Sequence, residues 1–129
     1  MSSAITVFII DDDESMLRAM ARIMKAARYR AVCVRSVEDL LAMKLPANDA
    51  VIIADVSSTR QFAETLPQQL HGQGWSLPVI YLTDYDTELT RNEAKRIGAA
   101  GYYRKPVDEQ ALLDAITFAV RRTTTDPVN

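Results

Sequence analysis

The sequence is poor in cysteine, glycine and proline, and it has no surplus of positive charge. Its 129 residues include one cysteine, four glycines and five prolines. One cysteine cannot form a disulfide within the chain, and so few glycines and prolines exclude collagen-like and low-complexity sequences. Cys33 lies in the apolar run from Ala31 to Val34, which predicts a small buried thiol.

The charge balance argues against two classes of partner. The 15 basic and 17 acidic side chains leave a net charge of −2 at pH 7. Such a chain has no positive field that attracts nucleic acid or an anionic membrane surface, so we expect neither as a direct partner. The apolar run from Ile5 to Ile10 is too short for a signal-peptide core or a membrane-spanning helix. We therefore expect a cytoplasmic protein.

Length and composition are typical of one globular domain. Hydrophobic residues make up 48% of the chain and charged residues 25%, which suffices for a core that folds by burial. The last residues, 123–129, are polar and carry no helical pattern. The sequence predicts one domain over residues 1–122 and a tail, or the start of a linker, over residues 123–129.

Five short apolar runs predict five buried strands. A run without polar alternation is typical of a strand that is buried on both faces, as in a parallel sheet. The predicted strands lie at residues 5–10, 31–34, 49–54, 77–82 and 102–103.

Helical patterns follow each of these strands. They lie at residues 16–27, from Ser36 onwards, at 62–70 with a kink at Pro67, at about 86–97 and at about 108–122. Strand and helix therefore alternate five times, which predicts a doubly wound, flavodoxin-like α/β fold with a five-stranded parallel sheet in the order 2-1-3-4-5. In such sheets, ligands bind beyond the carboxyl ends of the strands.

Acidic residues follow the first and third strands. Asp11, Asp12, Asp13 and Glu14 come directly after the first strand, and Asp55 ends the third. Because these strands are neighbours in the predicted order, two or three carboxylates converge there. Carboxylates this close raise one another's pKa unless a cation joins them, and an all-oxygen cluster suits Mg²⁺. An alternative is that the acids after the first strand cap the following helix.

Two further polar side chains lie at the ends of the remaining strands. Thr83 ends the fourth strand, and Lys105 follows the fifth. A hydroxyl can hydrogen-bond an oxygen of a phosphoryl group, and an ammonium can offset its charge. Either residue alone is a weak signal, but their placement beside the acids predicts a site for a phosphoryl group.

With these residues in place, the chain resembles a receiver domain of a two-component response regulator. The resemblance extends from Ile5 to about Val120. It rests on VFIIDDD at residues 7–13, VIIAD at 51–55, LPVIYLT at 77–83 and GAAGYYRKP at 98–106.

The resemblance implies a role for each matching residue. Asp55 would be the phosphoacceptor for a sensor histidine kinase or a phosphotransfer protein. The Mg²⁺ ligands would be Asp11, Asp12, Asp55 and the carbonyl of Ser57. Thr83 and Lys105 would contact the phosphoryl group, and Thr83 and Tyr102 would form the switch.

The resemblance also implies a readout surface. It would consist of the predicted fourth helix, the fifth strand and the last helix, and a homodimer could form through it. Tyr103 and Phe118 are expected to offer exposed aromatic area there, with packing of Phe118 against the fourth helix as the alternative.

The chain departs from the family pattern at two places. After Asp55 it reads Val56 to Phe62, without the usual Met-Pro and Gly. After Thr83 it has Asp84, where the family prefers a small residue. Asp84 either opposes the phosphoryl group as a modulating residue or caps the following helix.

Three functions remain open on the sequence alone. The first is a phosphorylation-dependent signalling receiver, which is not an enzyme. The second is a degenerate receiver that binds its partner without phosphotransfer. The third, which the absence of a cap domain and of a late acidic motif disfavours, is a small phosphohydrolase of the haloacid dehalogenase type, with Asp11 and Asp13 as its Asp-x-Asp pattern.

Overall fold

The computed structural model describes residues 5–46, 49–55, 69–70, 72–74, 76–84, 87–96 and 98–124. Four sequence predictions lie wholly or largely outside this part of the chain. They are the loop from Val56 to Phe62, the Ser57 ligand, most of the helix with its kink at Pro67, and most of the tail at residues 123–129.

The described residues form a parallel sheet of five strands. Its strands are β1 (Thr6–Ile10), β2 (Arg30–Val34), β3 (Ala50–Asp55), β4 (Val79–Thr83) and β5 (Gly101–Arg104). Their order is β2-β1-β3-β4-β5, and every neighbouring pair is parallel. The predicted doubly wound sheet is confirmed.

Three helices lie between these strands and a fourth follows β5 in the described part of the chain: α1 (Glu14–Ala26), α2 (Val37–Leu41), α3 (Glu88–Arg96) and α4 (Glu109–Thr124). Of these, α2 and α4 begin after polar side chains at the predicted positions. Ser36 accepts a hydrogen bond from the Asp39 N–H, and Asp108 accepts one from the Ala111 N–H. The last helix continues to Thr124, two residues into the segment predicted to be a tail.

The central strands are buried on both faces because their side chains alternate between two core clusters. Val7 and Ile9 of β1 pack with the apolar faces of α1 and α4, whereas Phe8 and Ile10 pack on the side of α2. Each fully buried aliphatic side chain stabilises the fold by about 1.5–3 kcal/mol. The sheet is therefore the rigid part that positions whatever follows its strands.

A hydrogen bond between distant segments ties α4 to the turn before β2. The Tyr29 hydroxyl lies 2.7 Å from Thr117 Oγ1. Thr117 in turn donates to the Leu113 carbonyl at 3.1 Å, so Tyr29 is the donor of the pair. The last helix is thus held against the turn between α1 and β2 by a polar contact as well as by its apolar face.

The prediction for Cys33 is wrong. Its thiol donates to the Leu17 carbonyl at 3.7 Å, but the residue is exposed. The reason is that β2 is an edge strand with a mostly open outer face, and a short apolar run does not distinguish an edge strand from a central one. Separately, none of the helices that the structure describes is long and apolar enough to cross a membrane.

The packing of α4 gives a stability prediction. Leu112 is fully buried, whereas Phe118 on another face of the helix is 61% exposed. We expect Leu112→Ala to lower the free energy of unfolding by about 2–5 kcal/mol, and Phe118→Ala to change it by less than about 1 kcal/mol. Urea denaturation measures both. Equal losses in the two variants would contradict this docking of the helix.

Candidate functional site

The carboxyl edge of the sheet brings two buried acids side by side. Ile10 pairs with Ala54 in the β1–β3 register. Asp11 and Asp55, the next residue after each of these, are therefore neighbours. They are only 2% and 6% exposed. The sequence predicted this convergence from the strand order, and the structure brings these two predicted residues together.

Lys105 supplies the positive charge at this edge. Its backbone N–H donates to the Thr83 carbonyl at 2.7 Å, which fixes the residue just beyond β5, before a cis peptide bond to Pro106. Its Nζ lies 2.7 Å from Asp55 Oδ2 and 3.9 Å from Asp11 Oδ2. One ammonium therefore lies between two carboxylates, bonded to Asp55 and in longer ionic contact with Asp11.

The described site has two buried carboxylates and one ammonium, and this difference in charge decides its electrostatics. Burial raises the pKa of Asp11 to about 6, and the nearby Asp55 carboxylate adds to the increase. A hydrogen bond from the Asp13 N–H at 3.0 Å and the charge of Lys105 act in the opposite direction without cancelling it. The site as described holds more negative charge than its ammonium offsets.

Lys105 responds to the same surroundings. Burial by itself would lower its pKa, but the hydrogen bond and charge of Asp55, followed by the charges of Asp11 and Asp84, outweigh burial, and the pKa is raised. The side chain therefore stays protonated at neutral pH. Asp84 is exposed, yet its charge acts on the site through Lys105.

Thr83 completes the edge. It is 2% exposed, ends β4, and comes one residue after Leu82, the pairing partner of Asp55. Because its carbonyl also accepts the Lys105 N–H, Thr83 and Lys105 are linked through the backbone. Residues that the sequence placed at the ends of four strands thus lie at one edge, next to one another.

The acidic run after β1 has divided roles. Asp11 faces Lys105, whereas Asp13 caps α1 and accepts hydrogen bonds from the N–H groups of Ser15 and Met16. Asp12 is exposed. The capping interpretation is therefore confirmed for Asp13, whereas a metal-binding role for Asp11 and Asp12 stays a prediction.

The donor set suits a hard cation. Within the described residues no group of three acidic, histidine or cysteine side chains lies close enough to hold a metal ion. Two buried carboxylates match the protein share of a Mg²⁺ site, because this ion takes one or two carboxylates and fills its octahedron with carbonyl oxygens, phosphate and water. Of the other predicted ligands, Asp12 is exposed and the carbonyl of Ser57 lies outside the described part of the chain.

The start of α3 corrects one prediction. The sequence placed the helix start near Asp86 and offered Asp84 as its cap. The helix begins at Glu88, and the Thr90 N–H donates to Thr87 Oγ1 at 3.1 Å. Thr87 therefore occupies the N-cap position, and Asp84 is not the cap of this helix.

One polar contact of Tyr102 was not predicted from the sequence. The Tyr102 hydroxyl lies 2.5 Å from Thr90 Oγ1 on α3. The sequence signals only the helix start, through the spacing of three between Thr87 and Thr90, and does not indicate the contact with Tyr102. Of the two expected exposed aromatics, Phe118 is exposed, whereas Tyr103 is partly buried against a core cluster.

The family model for the response regulator receiver domain matches residues 7–117. Among curated relatives, the transcriptional regulatory protein TdiR of Thauera aromatica is 27% identical over 92% of this chain and 52% of its own length. FixJ of Azorhizobium caulinodans is 24% identical over 95% and 58%. The two-component response regulator PprB of Pseudomonas aeruginosa is 30% identical over 86% and 42%. The chain spans about half the length of the curated relatives it matches.

Solved structures share the fold. A CheY-like receiver domain protein from Methanospirillum hungatei has a TM-score of 0.80 at 19% identity, with 97% of this chain and 100% of that chain covered. The FixJ-N structure has a TM-score of 0.81 at 23% identity, with 94% and 96% covered. The family match, the strand order and the acidic edge agree, and the chain belongs to the response regulator receiver domains of two-component signalling.

Proposed function

We propose that this chain accepts a phosphoryl group on Asp55 from a sensor histidine kinase or a phosphotransfer protein. The observation that carries the proposal is the buried Asp55 carboxylate with the Lys105 ammonium 2.7 Å away and a second buried acid, Asp11, beside it. We also propose that the receiver domain comprises the described fold and extends through α4 (Glu109–Thr124).

The transfer step is a displacement at phosphorus. An oxygen of the Asp55 carboxylate forms the new O–P bond, while the P–N bond of the phosphohistidine breaks. Its electron pair stays on the leaving imidazole, which takes a proton. The product is an acyl phosphate, whose charge Lys105 offsets because its pKa is raised and it remains protonated. Thr83 supplies the hydroxyl that hydrogen-bonds the transferred group.

Mg²⁺ is the proposed cofactor. Asp11 and Asp55 would hold it, with Asp12 and the Ser57 carbonyl as the further ligands implied by the family pattern. When bound, the ion offsets the negative charge of the phosphoryl oxygens. The excess negative charge and the raised pKa of Asp11 support this assignment, since a cation relieves both.

The proposed readout follows from the position of Tyr102. Thr83 and Tyr102 form the switch, and α3, β5 and α4 form the surface that binds a partner or a second copy. Among the described residues of its helices, the exposed large apolar side chains are Leu89 at 66% and Phe118 at 61%. Exposed apolar side chains of this size are typical of protein interfaces.

One observation favours a second candidate function. Asp84 adds a negative charge that acts on Lys105, the residue needed to offset the phosphoryl group. A degenerate receiver, which binds its partner without phosphotransfer, would tolerate such a charge. The two candidates differ in whether Asp55 takes up a phosphoryl group.

Phosphoryl uptake is the first test. Incubation of the chain with acetyl phosphate and millimolar Mg²⁺ should add one phosphoryl group, since the site itself supplies the electrostatic stabilisation. Intact mass measures it. Asp55→Asn should abolish the uptake, whereas Asp114→Asn, which changes an exposed acid on α4, should retain it. An unchanged mass for the wild type would favour the degenerate receiver.

The raised pKa of Asp11 predicts a pH dependence of stability. The folded value of about 6 exceeds the unfolded value of about 3.9, so the folded chain binds more protons between these pH values. Its free energy of unfolding should therefore fall as pH rises from about 4 to 6. We expect Asp11→Asn to raise stability at pH 7 without metal by roughly 1–2 kcal/mol and to flatten this dependence.

Urea titrations at pH 4.5 and 7 measure this effect, and Asp12→Asn is the matched control. Because Asp12 is exposed, its substitution should change stability by less than about 0.5 kcal/mol. Mg²⁺ should raise the melting temperature of the wild type more than that of Asp11→Asn. Equal responses of the wild type and Asp11→Asn to both pH and Mg²⁺ would contradict the assignment of Asp11.

Asp84 should slow phosphorylation through its charge. Asp84→Asn removes that charge and keeps the size of the side chain, so uptake from acetyl phosphate should become roughly two- to tenfold faster. Since Thr87, not Asp84, caps α3, the substitution should not cause the loss of about 1 kcal/mol that removal of a helix cap causes. An unchanged rate would remove Asp84 from the set of modulating residues.

A further inference from the structure

Three hydroxyl groups meet where α3 lies beside β5. Thr90 Oγ1 is 2.5 Å from the Tyr102 hydroxyl and 3.1 Å from Thr87 Oγ1. It also lies 3.0 Å from the Thr87 carbonyl and 3.1 Å from the Thr87 N–H. We call Thr87, Thr90 and Tyr102 the hydroxyl triad. It joins the first turn of a helix to a strand residue twelve positions further along the chain.

The Thr90 hydroxyl lies at the centre of the triad. A threonine hydroxyl has one hydrogen to donate and two lone pairs that accept. Thr90 Oγ1 accepts from the Thr87 N–H and lies within hydrogen-bond distance of the Thr87 carbonyl, Thr87 Oγ1 and the Tyr102 hydroxyl. Either hydroxyl can donate in the bond between Thr90 and Tyr102, and this bond gives the Tyr102 ring a defined position.

The triad is connected to the acidic site from two directions. Along the chain, Thr87 comes four residues after Thr83. Across the sheet, Tyr102 pairs with Tyr81, two residues before Thr83, and comes three residues before Lys105. The Tyr102 ring is half-buried against the core cluster that contains Tyr81. A displacement of the Tyr102 ring would therefore require its bond to Thr90 to break or to move with it.

The triad is formed together with the ion pair between Lys105 and Asp55. Lys105 Nζ lies 2.7 Å from a carboxylate oxygen of Asp55, so the bond between Tyr102 and Thr90 coexists with this ion pair. A phosphoryl group bonded to that oxygen would replace the contact. An interaction that is present in one of two states and weakened in the other shifts the equilibrium toward the first.

We propose that Thr90 is a positioning residue that holds Tyr102 at the start of α3 and thereby opposes the change that follows phosphorylation of Asp55. The inference rests on the proposed function, because it concerns the same switch. It goes beyond that function by naming the residue that restrains the switch. Breaking one such hydrogen bond should favour the phosphorylated arrangement by roughly three- to tenfold.

The test measures the affinity of the chain for beryllofluoride, a phosphoryl mimic, in the presence of Mg²⁺. Thr90→Val removes the hydroxyl and keeps the branched shape, and Tyr102→Phe removes the partner hydroxyl. Each should tighten binding by about three- to tenfold, and the double variant should bind no tighter than the stronger single variant, because both break the same bond. Thr90→Ser keeps a hydroxyl and should stay within about twofold of the wild type.

Thr87→Val is the control for helix capping. It removes the hydroxyl that accepts from the Thr90 N–H and lies 3.1 Å from Thr90 Oγ1, but it keeps both hydroxyls of the bond between Thr90 and Tyr102. It should lower the melting temperature without changing the beryllofluoride affinity by more than about twofold. A purely structural role for Thr90 would give the opposite pattern, in which Thr87→Val and Thr90→Val lower the melting temperature alike and neither alters affinity.

Each outcome separates the inference from the proposed function. If the wild type binds beryllofluoride and Thr90→Val binds it equally well, the inference is overturned and the proposed function stands. Additive effects in the double variant, or a failure of Thr90→Ser to restore the wild-type affinity, would also overturn the inference. If the wild type neither binds beryllofluoride nor takes up a phosphoryl group from acetyl phosphate, the proposed function fails and the inference fails with it.

Discussion

A single ammonium placed between two buried carboxylates is the interaction on which the site depends. Lys105 offsets one of the two charges of Asp11 and Asp55, and burial strengthens what remains. A site with equal charges would be more stable but would have little affinity for a further cation. The remaining negative charge gives this edge an affinity for a cation, and the protonated lysine gives it a counter-charge for an anion bonded to Asp55.

The sheet is what keeps these like charges together. Asp11 directly follows β1 and Asp55 ends β3, and both strands are buried on both faces. Neither acid can therefore move away from the other without disturbing the sheet. Parallel pairing in register fixes Asp11 beside Asp55, and the backbone bond from Lys105 to Thr83 fixes the lysine at the same edge. The apolar core thus supplies the free energy that offsets the repulsion at its edge.

The strand order and the main site residues could be predicted because they depend on strong patterns. Continuous apolar runs identify central strands, and a polar residue directly after such a run has a defined position at the sheet edge. The hydrophobic pattern does not assign roles where neighbouring residues have the same type of side chain. Composition and periodicity do not distinguish Asp11 from Asp13, although one faces Lys105 and the other caps α1, and only the family resemblance separated them. Cys33 was misjudged because edge and central strands share a composition, and the bond from Tyr102 to Thr90 needs tertiary structure to be seen.

The packing of α4 on the same face of the sheet as α1 has a consequence for how the domain folds during synthesis. Leu112 and Ile116 complete the core layer that Val7 and Ile9 begin, and Thr117 bonds to Tyr29 across 88 positions. The nascent domain cannot close this layer until α4 has left the ribosome, because no earlier helix among the described residues occupies that place. Part of the apolar surface of β1 and α1 therefore stays uncovered until then, and the domain cannot fold strand by strand as it emerges.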